Sequence, residues 1–372
     1  MMSRRASCAV FRAKGVPVRT ALGLLVVVLL AGCSSASPIS TASVAPLNVL
    51  PKGAARAYPS PPKDTPCNAT ASEAPPAVMP AVGQMPSGSF MAQIQRRGYI
   101  KVGVTDSTYL WGYHDPGTGE LVGFDIDILR QIAQAIFGSS DPKYFREVIV
   151  SNADREKAVK SGKVDILAET MTINCERRKS IDFSSVYYWA GQTILVPVNS
   201  SITGPQDLGG KRVCAAAKST SLQNLVAPGM PRGIRVWQAA NNSDCLVMLQ
   251  QNQVDAVSTD DAILLGLEVQ DPNTKLVESP PCKVPLAEAA KFNCAPFSSE
   301  PYGLAISKSH PNFTSFVNGV LAEVRADGTW TRLYQQYLLP HLPKGSGVPP
   351  PPAARAREAR PVALGGLGDF DA

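Results

Sequence analysis

The sequence predicts an α/β protein built as two lobes around a cleft. Three observations carry that expectation. Residues 90–340 lie between two low-complexity stretches, and a span of about 250 residues holds two core-bearing units or one large one. Within it, period-two hydrophobic alternation and helical stripes follow one another, the pattern of strands joined by helices. Residues 152–170 also lie over residues 242–260 at a constant offset of ninety. Asn152 falls on Asn242, Asp154 on Asp244, Gly162 on Asn252, and Val164-Asp165 on Val254-Asp255, so one supersecondary unit recurs in each half.

From the N-terminus, Arg4, Arg5, Arg12, Lys14 and Arg19 precede the apolar run 21–32, ALGLLVVVLLAG. That run is too short for a permanent membrane span and reads as the core of an export signal, 1–32. Leu30-Ala31-Gly32-Cys33 resembles the lipobox of bacterial lipoproteins. The resemblance implies cleavage before Cys33 and lipidation of its sulfur, leaving the chain anchored to the cell membrane on its extracytoplasmic side. An ordinary secretory signal with an incidental cysteine is the plainer alternative, and it too means export. Residues 33–89, rich in Ala, Ser and Pro, read as a disordered tether. Residues 341–372, with a run of prolines and a Gly-rich end, read as a disordered tail. Leader and tail carry the net charge of +6. The remainder has equal numbers of acidic and basic residues, so nothing supports nucleic-acid binding, which needs a basic face on the folded part.

Apart from Cys8 and Cys33, six cysteines remain: Cys67, Cys175, Cys214, Cys245, Cys282 and Cys294. An even number in an exported chain favours disulfides, and no CxxC or HxxxH spacing argues for metal. The preferred pairing is Cys214 with Cys245, then Cys282 with Cys294, leaving Cys67 with Cys175 by elimination.

In the folded span, Ile100, Val102 and Val104 alternate with Lys101, Gly103 and Thr105 as a strand should. GFDIDILRQIAQAIF then sets Ile128, Leu129, Ile132 and Ile136 on one helical stripe. Asp125 and Asp127 stand at its start, where carboxylates suit orphan backbone N–H groups and the helix dipole, so they are read as caps rather than an acid/base pair. Each copy of the repeat is a short helix with an Asn/Asp start and a Gly or Asn stop, followed by a buried strand, VDILA or VDAVS. Thr170 and Asp260 come just past those strands. Ligands of open α/β sheets sit beyond the carboxyl ends of strands, so the two residues should face one cleft. Residues 313–337 read as one final helix through ADGTW, packing Trp330, Leu333 and Tyr334.

GFDIDILRQIA resembles the signature of the polar-amino-acid solute-binding proteins of ABC importers (bacterial solute-binding protein family 3), and TMTINCERRKSIDFSSVYY resembles that family's main ligand segment. ITGPQDLGGKRVCAAAKSTSLQNL, VDAVSTDDAILLG and PFSSEPYGLAISK resemble the second lobe and return hinge of its glutamate/aspartate/glutamine-binding, actinobacterial-type branch. The resemblance implies a type II periplasmic-binding-protein fold with a mixed sheet and flanking helices in each lobe. Lobe 1 would comprise 90–196 plus 301–340 and lobe 2 would comprise 197–300, with hinges near 192–198 and 300–304.

It also implies a free amino acid as ligand, and the residue types suit one. Arg177 offers a planar fork for the α-carboxylate. Thr170 and Thr172 add hydroxyl and N–H groups, and Ser219 and Thr220 open a helical run whose N-terminus favours anions. Asp260 accepts from the ammonium. Arg155 stands where the acidic-ligand branch carries an arginine for the distal carboxylate, whose unpaired burial would cost several kcal/mol. Asp106 and Tyr109, with Trp111 and Tyr113, would wall the site. Thr105 stands where that branch often has lysine, which leaves amides open beside glutamate and aspartate.

The implied function is capture of a polar amino acid by cleft closure and delivery to the membrane permease of an ABC importer. A lipoprotein that reports amino-acid supply to a membrane sensor protein would use the same pocket. An exported enzyme would need a nucleophile or acid/base pair, yet there is no GxSxG, and His114, His310 and His341 fit no triad spacing. Neither metal nor cofactor is expected.

Overall fold

The computed structural model describes residues 49–63, 66–277 and 298–353. The export signal, Cys33, the Cys282–Cys294 pair and most of the expected tail lie outside the described residues. The first half of the chain runs β1 (Ala55–Arg56), α1 (Phe90–Arg97), β2 (Ile100–Val104), β3 (Ser107–Thr108), β4 (Gly112–His114), β5 (Leu121–Val122), α2 (Phe124–Phe137), β6 (Phe145–Ile149), α3 (Arg155–Lys160), β7 (Ile166–Leu167), α4 (Arg177–Ser180) and β8 (Asp182–Phe183). The second continues with β9 (Tyr188–Pro197), β10 (Arg212–Ala216), α5 (Thr220–Asn224), β11 (Arg235–Ala239), α6 (Asn242–Gln250), β12 (Ala256–Asp260), α7 (Asp261–Gln270), β13 (Thr274–Leu276), β14 (Ser299–Tyr302), β15 (Ala305–Ile306), α8 (Pro311–Ala326) and α9 (Thr329–Tyr337).

Two mixed sheets result. The first has strand order β6-β2-β7-β15-β8, with β2 parallel to both β6 and β7. The second has the order β1-β11-β10-β12-β9-β13, with β10 parallel to β11 and β12. Helices cover both, as buried parallel strands require. Two antiparallel strands carry the chain between the sheets. Residues 188–191 of β9 pair with β14, while residues 192–195 pair with β12.

Local chemistry explains the elements nearest the cleft. The stripe Ile128, Leu129, Ile132 and Ile136 of α2 is fully buried in the first lobe's core. Gly123 precedes α2 at φ 134°, and any Cβ there would lie 2.3 Å from the Trp111 carbonyl oxygen. Only glycine fits. The repeat is visible atom by atom. The Asp165 carboxylate accepts the Lys101 N–H at 2.7 Å and the Asp165 N–H donates to the Lys101 carbonyl at 2.8 Å. Asp255 makes the same two bonds to Arg212, at 2.7 and 2.8 Å. Gly162 and Asn252, matched in the repeat, both turn the chain at positive φ, 69° and 55°.

Three expectations need correction. Residues 49–63 and 66–89, expected within a disordered tether, lie on the folded body. β1 adds an antiparallel edge to β11, and Ala57 donates to Val236 and is buried in the second lobe. Beyond Cys67, the Ser72 hydroxyl donates to the Phe183 carbonyl at 2.7 Å, Gly83 N–H to Ala135 at 3.1 Å, and Met85 joins the first lobe's core. The segment shows no periodicity because it is an extended strap whose polar groups are satisfied by the lobes beneath it. In the second correction, Leu342 and Val348 pack on the first lobe's core, so the ordered body runs past His341. In the third, the final helix is two helices: Gly328 adopts φ 78° between α8 and α9 and lets the chain turn.

Both expected disulfides within the described residues are present, Cys67–Cys175 and Cys214–Cys245. The latter links β10 to α6. The former fastens the strap two residues before Arg177.

Candidate functional site

A narrow, partly open cavity of about 10 Å³ lies between the lobes, at the carboxyl ends of β7 and β12. The first lobe contributes Asn152, Arg155, Thr170, Thr172 and Arg177; the second contributes Ser219, Thr220, Ser221, Asn242, Thr259, Asp260 and Ile263. Hydroxyls and amides dominate the wall, with two guanidinium groups on one side and a carboxylate on the other.

Arg177 opens α4 and is buried; its Nη1 donates to the Thr172 carbonyl at 2.5 Å and its Nη2 reaches the Lys218 carbonyl of the other lobe at 3.5 Å. Burial, then the like charge of Arg155, lowers its pKa to about 10. It remains a cation at neutral pH. Arg155, at the start of α3, is also buried and donates from Nε to the Asn152 carbonyl at 3.2 Å and from Nη1 to the Glu169 carbonyl at 3.1 Å. Those bonds leave Nη2 for a ligand.

Asp260 ends β12 opposite them, accepting from the Tyr302 hydroxyl at 2.7 Å and the Ser221 hydroxyl at 3.3 Å. Burial and the neighbouring Glu300 hold its carboxyl well above the usual range, so an ammonium in the cavity would draw it into its ionised form. Thr172 and Thr220 face each other across the cleft with their hydroxyl oxygens 3.3 Å apart. Ser219 caps α5, its hydroxyl accepting the Leu222 N–H at 3.0 Å.

Thr170 holds φ 43°, an outlier for a β-branched residue. Asp125 pins it by accepting the Thr170 N–H at 2.8 Å through one oxygen and the Tyr187 hydroxyl at 2.7 Å through the other. Burial raises the Asp125 carboxyl to about 7, against the pull of those two bonds. Asp125 is therefore no helix cap. Nor is Asp127, which bonds Arg130 and the Tyr337 hydroxyl, both at 2.6–2.7 Å.

Of the residues singled out in the sequence, Arg155, Thr170, Thr172, Arg177, Ser219, Thr220 and Asp260 converge on this cavity, whereas Asp106 and Tyr109 are not among its lining residues. Leu110, at φ 74°, turns the β3–β4 hairpin so that Tyr109 packs against Tyr113, ring centroids 4.6 Å apart, in a separate hollow with Tyr337 and His341. Trp111 instead crosses to the second lobe, donating to the Ala262 carbonyl at 3.0 Å. Sequence reasoning passed over Asn152 and Asn242 as wall residues, although both begin copies of the repeat. It also passed over Glu169, whose carboxyl is buried with no hydrogen-bond partner for either oxygen. No helix among the described residues is long and apolar enough to cross a membrane.

Residues 100–340 match the family model of the bacterial extracellular solute-binding proteins, family 3. The chain is 33% identical over 249 residues to the ABC transporter glutamine-binding protein GlnH of Bacillus subtilis (strain 168), covering 67% of this chain and 84% of that protein. It is 28% identical over 265 residues to the glutamate-binding protein GluB of Corynebacterium glutamicum, covering 67% and 81%. Among solved structures, an ancestral arginine-binding protein bound to glutamine superposes with a TM-score of 0.55 at 33% identity, covering 65% of this chain and 98% of that one. The P235GK mutant of ArgBP from T. maritima gives 0.56 at 26%, covering 66% and 98%.

Proposed function

The chain belongs to the bacterial extracellular solute-binding proteins, family 3, and on that premise we propose that it captures an acidic amino acid of the glutamate type and delivers it to the permease of an ABC importer. The family and the relatives are solute-binding receptors. Relatives named for glutamine and for glutamate support a ligand of this size.

The observation that carries the reading is the division of charge in the cavity, with Arg155 and Arg177 on one lobe and Asp260 on the other. Arg177 would hold the α-carboxylate, Asp260 the ammonium and Arg155 the distal carboxylate, with Thr170, Thr172, Ser219 and Thr220 supplying hydroxyls and N–H groups. An acidic amino acid brings two carboxylates to two guanidinium groups and one ammonium to one carboxylate. A glutamine-like ligand leaves the second guanidinium without an anion in a buried site, where charge is costly. Because the contacts come from both lobes, they exist together only in the closed form, and binding shifts the population toward it. We further propose anchoring through a lipidated Cys33.

Calorimetric titration with glutamate, aspartate, glutamine and asparagine tests the reading. At least one acid should bind, and Arg177→Ala should abolish binding of every amino acid that the parent protein takes. Full affinity in that variant would contradict it.

A further inference from the structure

Glu169 is only 2% exposed, follows the end of β7, and stands directly before the cavity residue Thr170. Its own carbonyl is the acceptor for Nη1 of Arg155, at 3.1 Å. Neither of its carboxyl oxygens has a hydrogen-bond partner. A buried acid whose oxygens have no hydrogen-bond partner, near enough to Arg155 to feel its charge, is not explained by capping. We propose that the ionisation of Glu169 sets whether this cavity prefers a carboxylate or an amide at the distal end of its ligand. The inference rests on the reading of the cavity as a site for glutamate-type amino acids.

Five titratable groups act around Glu169. Arg155 of α3 and Arg177 of α4 favour its anion, and Asp125 of α2 and Asp106 of the β2–β3 turn oppose it. Tyr187 lies close by but is committed to Asp125 by its hydroxyl. Burial outweighs the two arginines and raises the carboxyl to about 8. Below that value Glu169 is a neutral acid, the charge of Arg155 is unopposed, and a distal carboxylate is the matching ligand group. Above it the anion of Glu169 offsets the charge of Arg155. The potential at the distal subsite falls, which weakens a carboxylate and leaves a neutral amide nearly untouched. Asp125, raised to about 7, and the ammonium groups of the two ligands also titrate in this range, so the part of the pH dependence of the affinity ratio that is lost in a Glu169 variant isolates Glu169.

The experiment is calorimetric titration of the full chain with glutamate and glutamine between about pH 6.5 and about pH 9, on either side of the shifted carboxyl. The glutamate-to-glutamine affinity ratio of the parent should fall roughly tenfold across that range, the scale of one added charge acting at several ångströms in a partly screened site. Glu169→Gln should remove most of that fall. Glu169→Leu, which keeps an apolar volume where a neutral acid was, should do the same and serves if the glutamine variant fails to fold. A parent ratio that stays flat, or an equal slope in the variants, overturns the inference while leaving the proposed ligand class intact. Absence of binding by both amino acids would instead overturn the proposed function.

Discussion

On the proposed reading, Arg155 is the residue on which ligand choice turns. It is 4% exposed, and its bonds to the Asn152 and Glu169 carbonyls fix the guanidinium at the cavity wall. Removing one partner of a buried ion pair costs about 3 kcal/mol or more, so Arg155→Ala should weaken glutamate or aspartate roughly a hundredfold. The amides should lose less than about tenfold, the scale of one ordinary hydrogen bond. Titration of the variant with all four amino acids checks this, and equal losses for acids and amides would contradict the role. Arg155, Arg177 and Asp260 could be singled out in the sequence because the family resemblance marks their positions and the chemistry of an amino acid suits their types, and the fold brings all three to one cavity. Asp106 and Tyr109, expected at the wall, do not line the cavity, and the direction of Tyr109 depends on the turn at Leu110. Asp125 looked like a cap because carboxylates suit helix starts. Its actual partners, Thr170 and Tyr187, lie 45 and 62 residues away in the chain and leave no local signal.

Among the elements, the ninety-residue repeat was legible through its Val-Asp pairs, its Asn starts and its Gly or Asn stops. Each feature has a structural cause: Asp165 and Asp255 tie their strands to the neighbouring parallel strand, and Gly162 and Asn252 take the positive φ that ends the preceding turn. The strap was not legible, because an extended segment bonded to other elements carries no period of its own. Cys214 and Cys245 are both fully buried and close a loop with a sequence separation of 31. Replacing both by alanine should lower stability by about 3–4 kcal/mol on the loop-entropy estimate. Urea unfolding under oxidising conditions measures it, and a loss below about 1 kcal/mol would show that the bridge adds little beyond the packing of β10 on α6.

At the scale of the whole molecule, the lobes are closed on each other. Thr172 meets Thr220, Arg177 reaches the Lys218 carbonyl, Lys218 reaches the Ala153 carbonyl at 3.5 Å, and Trp111 donates to Ala262. Ala262 and Leu265 of α7 also pack into the first lobe's hydrophobic core, and a ligand whose charges are met from both sides would add to these contacts. The strap adds a further connection between the lobes besides β9 and β14: β1 pairs in the second lobe and Cys67 is bonded to Cys175 in the first.

The most direct measurement is a crystal structure of the protein with glutamate. The account predicts one molecule in the cavity between the lobes. Its α-carboxylate should be forked on Arg177, its ammonium on Asp260 and its distal carboxylate within hydrogen-bond distance of Arg155. A bound glutamate lying elsewhere, or lying in the cavity with its distal carboxylate turned away from Arg155, would contradict it.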